Sequence, residues 1–464
     1  MMSEAKDHCG NNLETLKMEW PRLIDDTRFE LEDYVDPKRG KARTEFRRDY
    51  DRLVFSSPFR RLQNKTQVFP LPGSIFVHNR LTHSLEVSSV GKSLADEIAT
   101  RLRKKYADAD WVNLFYYIGD IVAAACLAHD LGNPPFGHSG EKAISTFFSE
   151  GYGKSLQDSF SSGQWADFTN FEGNANTFRT LTHTFRGRRT GGFAMTYATL
   201  ASIVKYPYDS TLASPNGKFG FFTNETDDFC KIFDRLGIIR HRRDDNAISY
   251  ARHPLVYLVE AADDICYEVM DLEDAHKLKI TSHELTVDTL MRYFDDDKER
   301  QERIRATMSR VEDPNEKIAY LRSCVIGRLV DSCADTFVEN EDAILKGTFK
   351  GSLMENIAPV QREAFRNSAS VSWNKIYCDS HVIDVELAGN QIVTYLLEKF
   401  IHAVVNPELN YSKLLLSRIP DQYDTAAESL YDRILAVLDH ISAMTDVYAL
   451  DLYRKLNGTS LPAV

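Results

Sequence analysis

Residues 114–128, LFYYIGDIVAAACLA, are apolar nearly all round and run straight into an adjacent His129-Asp130 pair. A helix without a polar face must be buried on every side, so the rest of the chain has to wrap around it. Yet this one ends on two polar groups, which are costly to bury without partners. A Gly-Asn-Pro-Pro-Phe-Gly turn follows at 132–137, then His138 and, three residues on, Glu141. The stretch predicts a helical bundle with a polar pocket at the end of its central helix.

Other helices can be read around it. From Leu81, apolar residues recur at Leu85, Val90, Leu94, Ile98 and Leu102, a helical period. His253-Pro254 predicts the opening of another helix, with Pro in its first turn, through LVYLVEAADDICYEVMDLEDA. Further helices are expected around 314–345, 389–404 and 424–456, and short strand-like runs near 219–223 and 381–387. Segments 151–169 and 206–220, rich in Gly, Ser, Asp and Pro, read as loops or insertions. The expected organisation is all-α: an N-terminal extension (1–40), a helical core (41–350) and a C-terminal, mostly helical region (351–464).

With 464 residues, 43% of them hydrophobic, the chain can fill a core of this size. No stretch is long and apolar enough to span a membrane. The first residues, MMSEAKDHCGNNLETLK, have no apolar leader segment, and the seven cysteines form no CxxC pair. Both features lead to the expectation of a cytoplasmic protein with reduced thiols. The net charge of −12 argues against a general nucleic-acid coat, although local fields decide anion binding. Cations cluster at 41–52 (KARTEFRRDYDR), 59–65 (FRRLQNK), 185–189 (FRGRR) and 240–243 (RHRR), where solvated surface and ligand contact are equally open readings.

One imidazole (His83, in RLTHSLEV), the His129-Asp130 pair and a carboxylate from Asp263-Asp264 make a donor set for a divalent cation. Mixed nitrogen and oxygen ligands suit Mn²⁺, Fe²⁺, Co²⁺ or Mg²⁺ better than a structural thiolate site. Asp263, Tyr267 and Asp271 stand at i, i+4 and i+8, on one helix face. A solvent-facing stripe would explain this too, but the tyrosine between two carboxylates favours a site.

The segments HNRLTHSLEV, CLAHDLGNPPFGHSGE, FEGNANTFR, IVKYPYDS and EAADDICYEVMDLEDA, in this order, resemble the deoxyguanosine triphosphate triphosphohydrolases of the HD superfamily. The resemblance runs from about 40 to 276 and, more weakly, through 377–390 and MTDVYALDLYRKL near the end. It implies an HD-type helical bundle with a divalent metal, Mn²⁺ or Mg²⁺ before Co²⁺, Fe²⁺ or Ni²⁺, held by His83, His129, Asp130 and Asp263. Asp263 is preferred to Asp264 because the superfamily's last ligand follows an Ala. His138 and Glu141 would serve the water that attacks the α-phosphorus; a His oriented by a carboxylate is a competent acid or base near neutral pH. The products would be a deoxynucleoside and intact triphosphate.

The same resemblance assigns Lys205 and Tyr206 to the phosphates, with Arg80 and Arg61 as further candidates. Gln67 would meet the 3′-hydroxyl, Tyr267 and Asp271 would flank the phosphates and sugar, and Asn174 would line the pocket or cap a turn. Glu386 would read guanine, and Tyr377 would stack on the base. Ser139 reads as an N-cap. Implied partners are dGTP or another dNTP and further copies of the chain, a hexamer foremost. Control by single-stranded DNA or a nucleotide effector varies within the family and stays open. Another HD nucleotidase or phosphodiesterase would share the metal ligands without needing GHSGE or Lys205-Tyr206. A non-enzymatic nucleotide-binding relative would lack a ligand or the second His, and neither is missing.

Overall fold

The computed structural model describes residues 16–34, 43–69, 77–213 and 217–460. Cys9 and residues 1–15 and 35–40 of the expected N-terminal extension lie outside the described residues, as do 41–42 of the first basic cluster.

Helix α1 (Glu45–Val54) and helix α2 (Arg80–Lys105) pack on helix α3 (Ile118–Ala128), in which every residue except Asp120 is buried. The apolar run is therefore the centre of the fold. Its first part, Val112–Tyr117, is a 3₁₀ segment, in keeping with its aromatic residues, which lose rotamer freedom in an α-helix. Helix α2 opens on a capping box. The Asn79 side chain accepts from the Leu81 and Thr82 amides, and the Thr82 hydroxyl accepts from the Asn79 amide. This fixes the first turn of α2, which carries Arg80 and His83, over the C-terminal end of α3.

Helices α4 (His138–Ser149), α5 (Gly173–Thr182) and α6 (Tyr197–Ile203) follow, and α7 (Val256–Lys277) packs across α2 and α3. Pro254 precedes α7 instead of sitting in its first turn. His253 holds the entry, its Nδ1 accepting the Leu255 amide at 3.2 Å. Helix α8 (Pro314–Glu339) backs α2 and α7. Helix α9 (Pro359–Val371) runs into a π-helical turn, Ser372–Ile376. Helices α10 (Ser380–Val405), α11 (Leu430–Ser442) and α12 (Asp446–Leu456) complete the described chain.

The apolar side chains form two cores. One gathers α1, α2, α3, α6, α7 and α8; the other joins α4 to α10, α11 and α12 through residues such as Ile144, Phe148, Leu396, Leu435 and Leu452. The turn 129–137 links the helix at the heart of the first core to the helix that enters the second, and both sides hold it in shape. Phe136 and Gly137 have positive φ, 62° and 56°. The Asp446 carboxylate accepts from the amides of Phe136 (2.8 Å) and Thr66 (2.7 Å). Helix α10 crosses so closely that a Cβ on Gly389 would meet Phe136 at 2.6 Å.

Three local expectations are corrected. Residues 381–387 belong to α10, because Val382, Gly389, Ile392, Val393 and Leu396 bury one helical face. The 219–223 run makes only an isolated bridge, Asp209 to Phe221, before a 3₁₀ turn. Segment 151–169 is helical rather than a loop, with a 3₁₀ stretch (Tyr152–Ser159) and a helix (Ser162–Thr169) capped by Ser161 and Gln164. Among the described residues there is no sheet, and no helix is long and apolar enough to cross a membrane.

Candidate active site

The ends of α2 and α3 bring three donors together. Ligand atoms of His83, His129 and Asp130 all lie within 4.8 Å of one another. Asp263 comes in from α7, its Oδ1 3.0 Å from His83 Nε2 and 3.5 Å from His129 Nε2. Asp264 lines the same cavity but has no such contact among the described residues. Burial, helped by Glu260 and Asp263 against Lys205, pushes its carboxyl up to about 7.

Each donor is oriented from behind. His129 Nδ1 lies 2.6 Å from the Cys126 carbonyl, so in the neutral ring, the form that binds a cation, the proton sits on Nδ1 and the lone pair on Nε2. Nε2 is buried and has no hydrogen-bond partner. Asp130 is held at both oxygens, by Arg80 Nη1 (2.8 Å) and by the Asn133 amide (2.5 Å). Burial would lower the pKa of His129, but Asp130 and Asp263 outweigh it and bring it to about 9. Burial would raise Asp263, and the two imidazoles instead hold it well below the usual carboxylate range.

The cavity in front of this cluster has a volume of about 300 Å³. Six carboxylates line it (Asp130, Glu141, Glu172, Glu260, Asp263 and Asp264) against Arg80, Lys205 and Lys218. The cations are already engaged: Arg80 with Asp130, Lys205 with Glu260 (3.3 Å) and Lys218 with Glu172 (2.7 Å). A buried imidazole nitrogen without a hydrogen-bond partner, a nitrogen–oxygen donor set and an excess of carboxylate together fit a divalent cation, which takes the place of the ring proton.

The turn after Asp130 delivers a second pair. His138 opens α4, and its Nδ1 lies 2.9 Å from Glu141 Oε2, while Glu141 Oε1 accepts the Gly173 amide at 2.9 Å. Glu141 is buried, whereas the His138 side chain is 73% exposed. The hydrogen bond and charge of Glu141 raise the His138 pKa above its ordinary value, and the buried Glu141 is lowered in turn.

Of the residues assigned to substrate by resemblance, Gln67, Arg80, Asn174, Lys205, Tyr206 and Tyr267 line the cavity. The side-chain oxygen of Gln67 is buried without a partner. Asn174 Nδ2 donates to Glu172 (2.8 Å), and Glu172, not Asn174, caps α5. Tyr377 and Asp271 stand behind Tyr267: the Tyr377 ring stacks on Tyr267 at 6.1 Å and its hydroxyl donates to Asp271 at 2.7 Å. The structure does not bring Glu386 to the cavity. It lies on an exposed part of α10, where its backbone carbonyl accepts from the Ser139 hydroxyl (2.7 Å). That bond occupies Ser139, and the N-cap position of α4 falls to Gly137. Arg61 lines a different cavity.

Sequence reasoning missed Glu172, Lys218 and Glu260. Glu260 was within reach, three residues before Asp263 on the same helix face. Lys218 sits in a Gly- and Pro-containing loop and carried no signal.

A bundle that offers His and Asp ligands from the ends of its central helices is the architecture of the HD phosphohydrolases. The HD domain model matches residues 80–163, and the phosphohydrolase-associated domain model matches 358–455. A deoxyguanosinetriphosphate triphosphohydrolase-like protein of Synechocystis sp. is 38% identical, over 96% of this chain and all of the relative. One from Pseudomonas aeruginosa is 36% identical over the same shares. A deoxyguanosinetriphosphate triphosphohydrolase of Serratia proteamaculans is 31% identical, over 89% of this chain and 93% of its own. The chain belongs to the deoxyguanosinetriphosphate triphosphohydrolase family of HD-domain, metal-dependent phosphohydrolases.

Proposed function

We propose that the chain hydrolyses dGTP, and other deoxynucleoside triphosphates less well, to the deoxynucleoside and inorganic triphosphate. One observation carries this reading: a single turn presents two imidazole–carboxylate pairs, His129-Asp130 and His138-Glu141, to one cavity that also holds Lys205 and Tyr206. A generic HD nucleotidase has no need of the second pair.

In this reading His83, His129, Asp130 and Asp263 hold Mn²⁺ or Mg²⁺. Such an ion supplies Lewis acidity, lowering the pKa of water and neutralising phosphoryl oxygen. A triphosphate brings about four negative charges into a cavity rich in carboxylates, so Lys205, Lys218 and Arg80 must share the load. Lys205 and Tyr206 hold the phosphate chain, while Gln67, Tyr267 and Asp271 fix the deoxyribose end, with Tyr377 behind Tyr267. Asn174 lines the wall, and Glu386, which the fold keeps out of this cavity, is given no part in it.

His138, held by Glu141, takes a proton from the attacking water. The water oxygen bonds to the α-phosphorus, the bond from that phosphorus to the 5′-oxygen breaks, and the 5′-oxygen leaves with a proton from solvent. We take residues 41–350 as the catalytic core. Residues 351–464 act as its brace and as a surface for oligomer contacts, a reading supported by Asp446 and Gly389 bearing on the turn. The protein is expected to work as a cytoplasmic homo-oligomer.

The test is chromatography of the products formed from each of the four dNTPs, with and without added Mn²⁺. Deoxynucleoside and triphosphate, formed fastest from dGTP and only with metal, support the proposal. A deoxynucleoside monophosphate with pyrophosphate overturns it.

A further inference from the structure

The wall that carries Lys205 separates two cavities. The active cavity lies on one side and an outer cavity of about 360 Å³ on the other, and Lys205, Tyr206 and Glu260 line both. Arg252 lines the outer cavity and not the active one. Lys205 follows α6, Arg252 precedes α7, and Glu260 stands in the second turn of α7, one turn before Asp263.

The two cations share one carboxylate. Glu260 Oε2 accepts from Arg252 Nη2 at 2.5 Å, while Glu260 Oε1 stands 3.3 Å from Lys205 Nζ. The first distance is that of a tight charged hydrogen bond, and the second exceeds it. The other cations of the active cavity keep full contacts, Arg80 with Asp130 at 2.8 Å and Lys218 with Glu172 at 2.7 Å. Lys205 is the loosely held one of these three. Asp264 and Asp263 also act on its charge, but neither is paired with it among the described residues. Arg252 is fixed from the outer side. Its guanidinium lies 4.4 Å over the Tyr257 ring, and Nη1 is 3.5 Å from the Gly351 carbonyl. A planar fork seated on an aromatic face holds a carboxylate in one place, whereas the Lys205 ammonium rides on a flexible four-carbon stem.

We propose that Arg252 is a positioning residue for the reaction: it holds the Glu260 carboxylate back and so leaves the Lys205 ammonium free to meet the phosphates of the substrate. The inference rests on the reading that Lys205 binds those phosphates. Without Arg252, the Glu260 charge falls on Lys205 alone, and the lysine closes on it instead of on the substrate.

The test is calorimetric titration of dGTP into the Mg²⁺-loaded full chain carrying His138→Ala, which suspends turnover in the proposed mechanism. In that background, Arg252→Gln is expected to weaken dGTP on the order of ten-fold, the loss of one charged hydrogen bond. Glu260→Gln is expected to bind dGTP at least as tightly as its parent. Adding Arg252→Gln to Glu260→Gln is then expected to change the affinity by less than about two-fold, since Arg252 acts through Glu260. Thermal melting checks the fold, and should Arg252→Gln fail it, Glu260→Gln alone decides. Weaker binding in Glu260→Gln overturns the proposal, because Glu260 would then be an anchor for Lys205 and not its competitor. So does an equal loss from Arg252→Gln with and without Glu260, which would be the effect of a lost charge or of packing. Lys205→Ala in the same series separates the two levels. Unchanged dGTP binding there fails the underlying reading, whereas weakened binding beside an unresponsive Arg252→Gln fails this inference only. Heat of hydrolysis in the His138→Ala background would fail the role given to His138, and the same series is then read as KM against kcat.

Discussion

Replacing His138 separates chemistry from binding. The ring stands in solvent at the cavity mouth, 73% exposed, with one described contact, the 2.9 Å bond to Glu141. His138→Ala therefore removes little packing, and stability is expected to stay within about 0.5 kcal/mol. Glu141 keeps the Gly173 amide at 2.9 Å and Lys218 at 3.9 Å, so its charge is not abandoned. Lys205, Tyr206 and the metal donors are untouched. If His138 is the base, kcat falls by roughly 10²–10⁴, about 3–5 kcal/mol in the barrier, while KM changes little. The pH profile provides an independent reading. Glu141 raises the His138 pKa, and the base must be neutral to act, so activity is lost as pH falls through the raised value. Glu141→Gln removes the charge that raises it and moves the acid limb of kcat/KM to lower pH. Steady-state kinetics across pH, with metal content checked, decide the matter. A raised KM with unchanged kcat in His138→Ala would make His138 a binding residue, and an acid limb unmoved by Glu141→Gln would refute the dyad.

Asp130→Asn should lose most bound Mn²⁺, measured by elemental analysis, and with it the stabilisation that excess metal gives the native state, about 3 kcal/mol at a hundred times Kd; full occupancy would exclude Asp130 as a ligand. Gly137→Ala should cost about 1–3 kcal/mol in denaturant melts, since φ is +56° and the new Cβ would lie 2.2 Å from Arg80 Nη2; wild-type stability and rate would mean that Arg80 and the turn are freer than drawn. His253 is fully buried, and burial lowers its pKa to about 4 despite the Leu23 carbonyl. Its neutral form is favoured in the fold, so it contributes stability above the unfolded value of about 6.5 that is lost as pH falls towards 4, about 3 kcal/mol in all. An NMR titration should find this ring neutral throughout pH 5–8, and a midpoint above 6 would contradict the burial.

The clustering of His83, His129, Asp130 and Asp263 was legible because its signals are local. A wholly apolar helix needs a reason to end on His-Asp, and Asp263 begins a stripe of one helical period. The C-terminal region was less legible. HVIDVEL, with its β-branched residues, reads as a strand taken alone, yet the apolar face from Val382 to Val404 packs on α4 and makes it helical. Lys218 gave no signal because its role depends on a loop folding back to Glu172 and Glu141 across more than forty residues. Three basic clusters, left open between solvated surface and ligand contact, each contribute to the lining of one cavity, a fact that only the packing of α1, the 183–193 loop and α11 could bring out.

The central claim is that water attacks the α-phosphorus and the whole triphosphate leaves the 5′-oxygen. Turnover of dGTP in ¹⁸O-water, followed by mass spectrometry of the earliest products, tests it directly. The account predicts label in triphosphate, none in deoxyguanosine, and no early monophosphate or pyrophosphate. Label in deoxyguanosine, or early deoxyguanosine monophosphate with pyrophosphate, would contradict it while leaving the metal site in place.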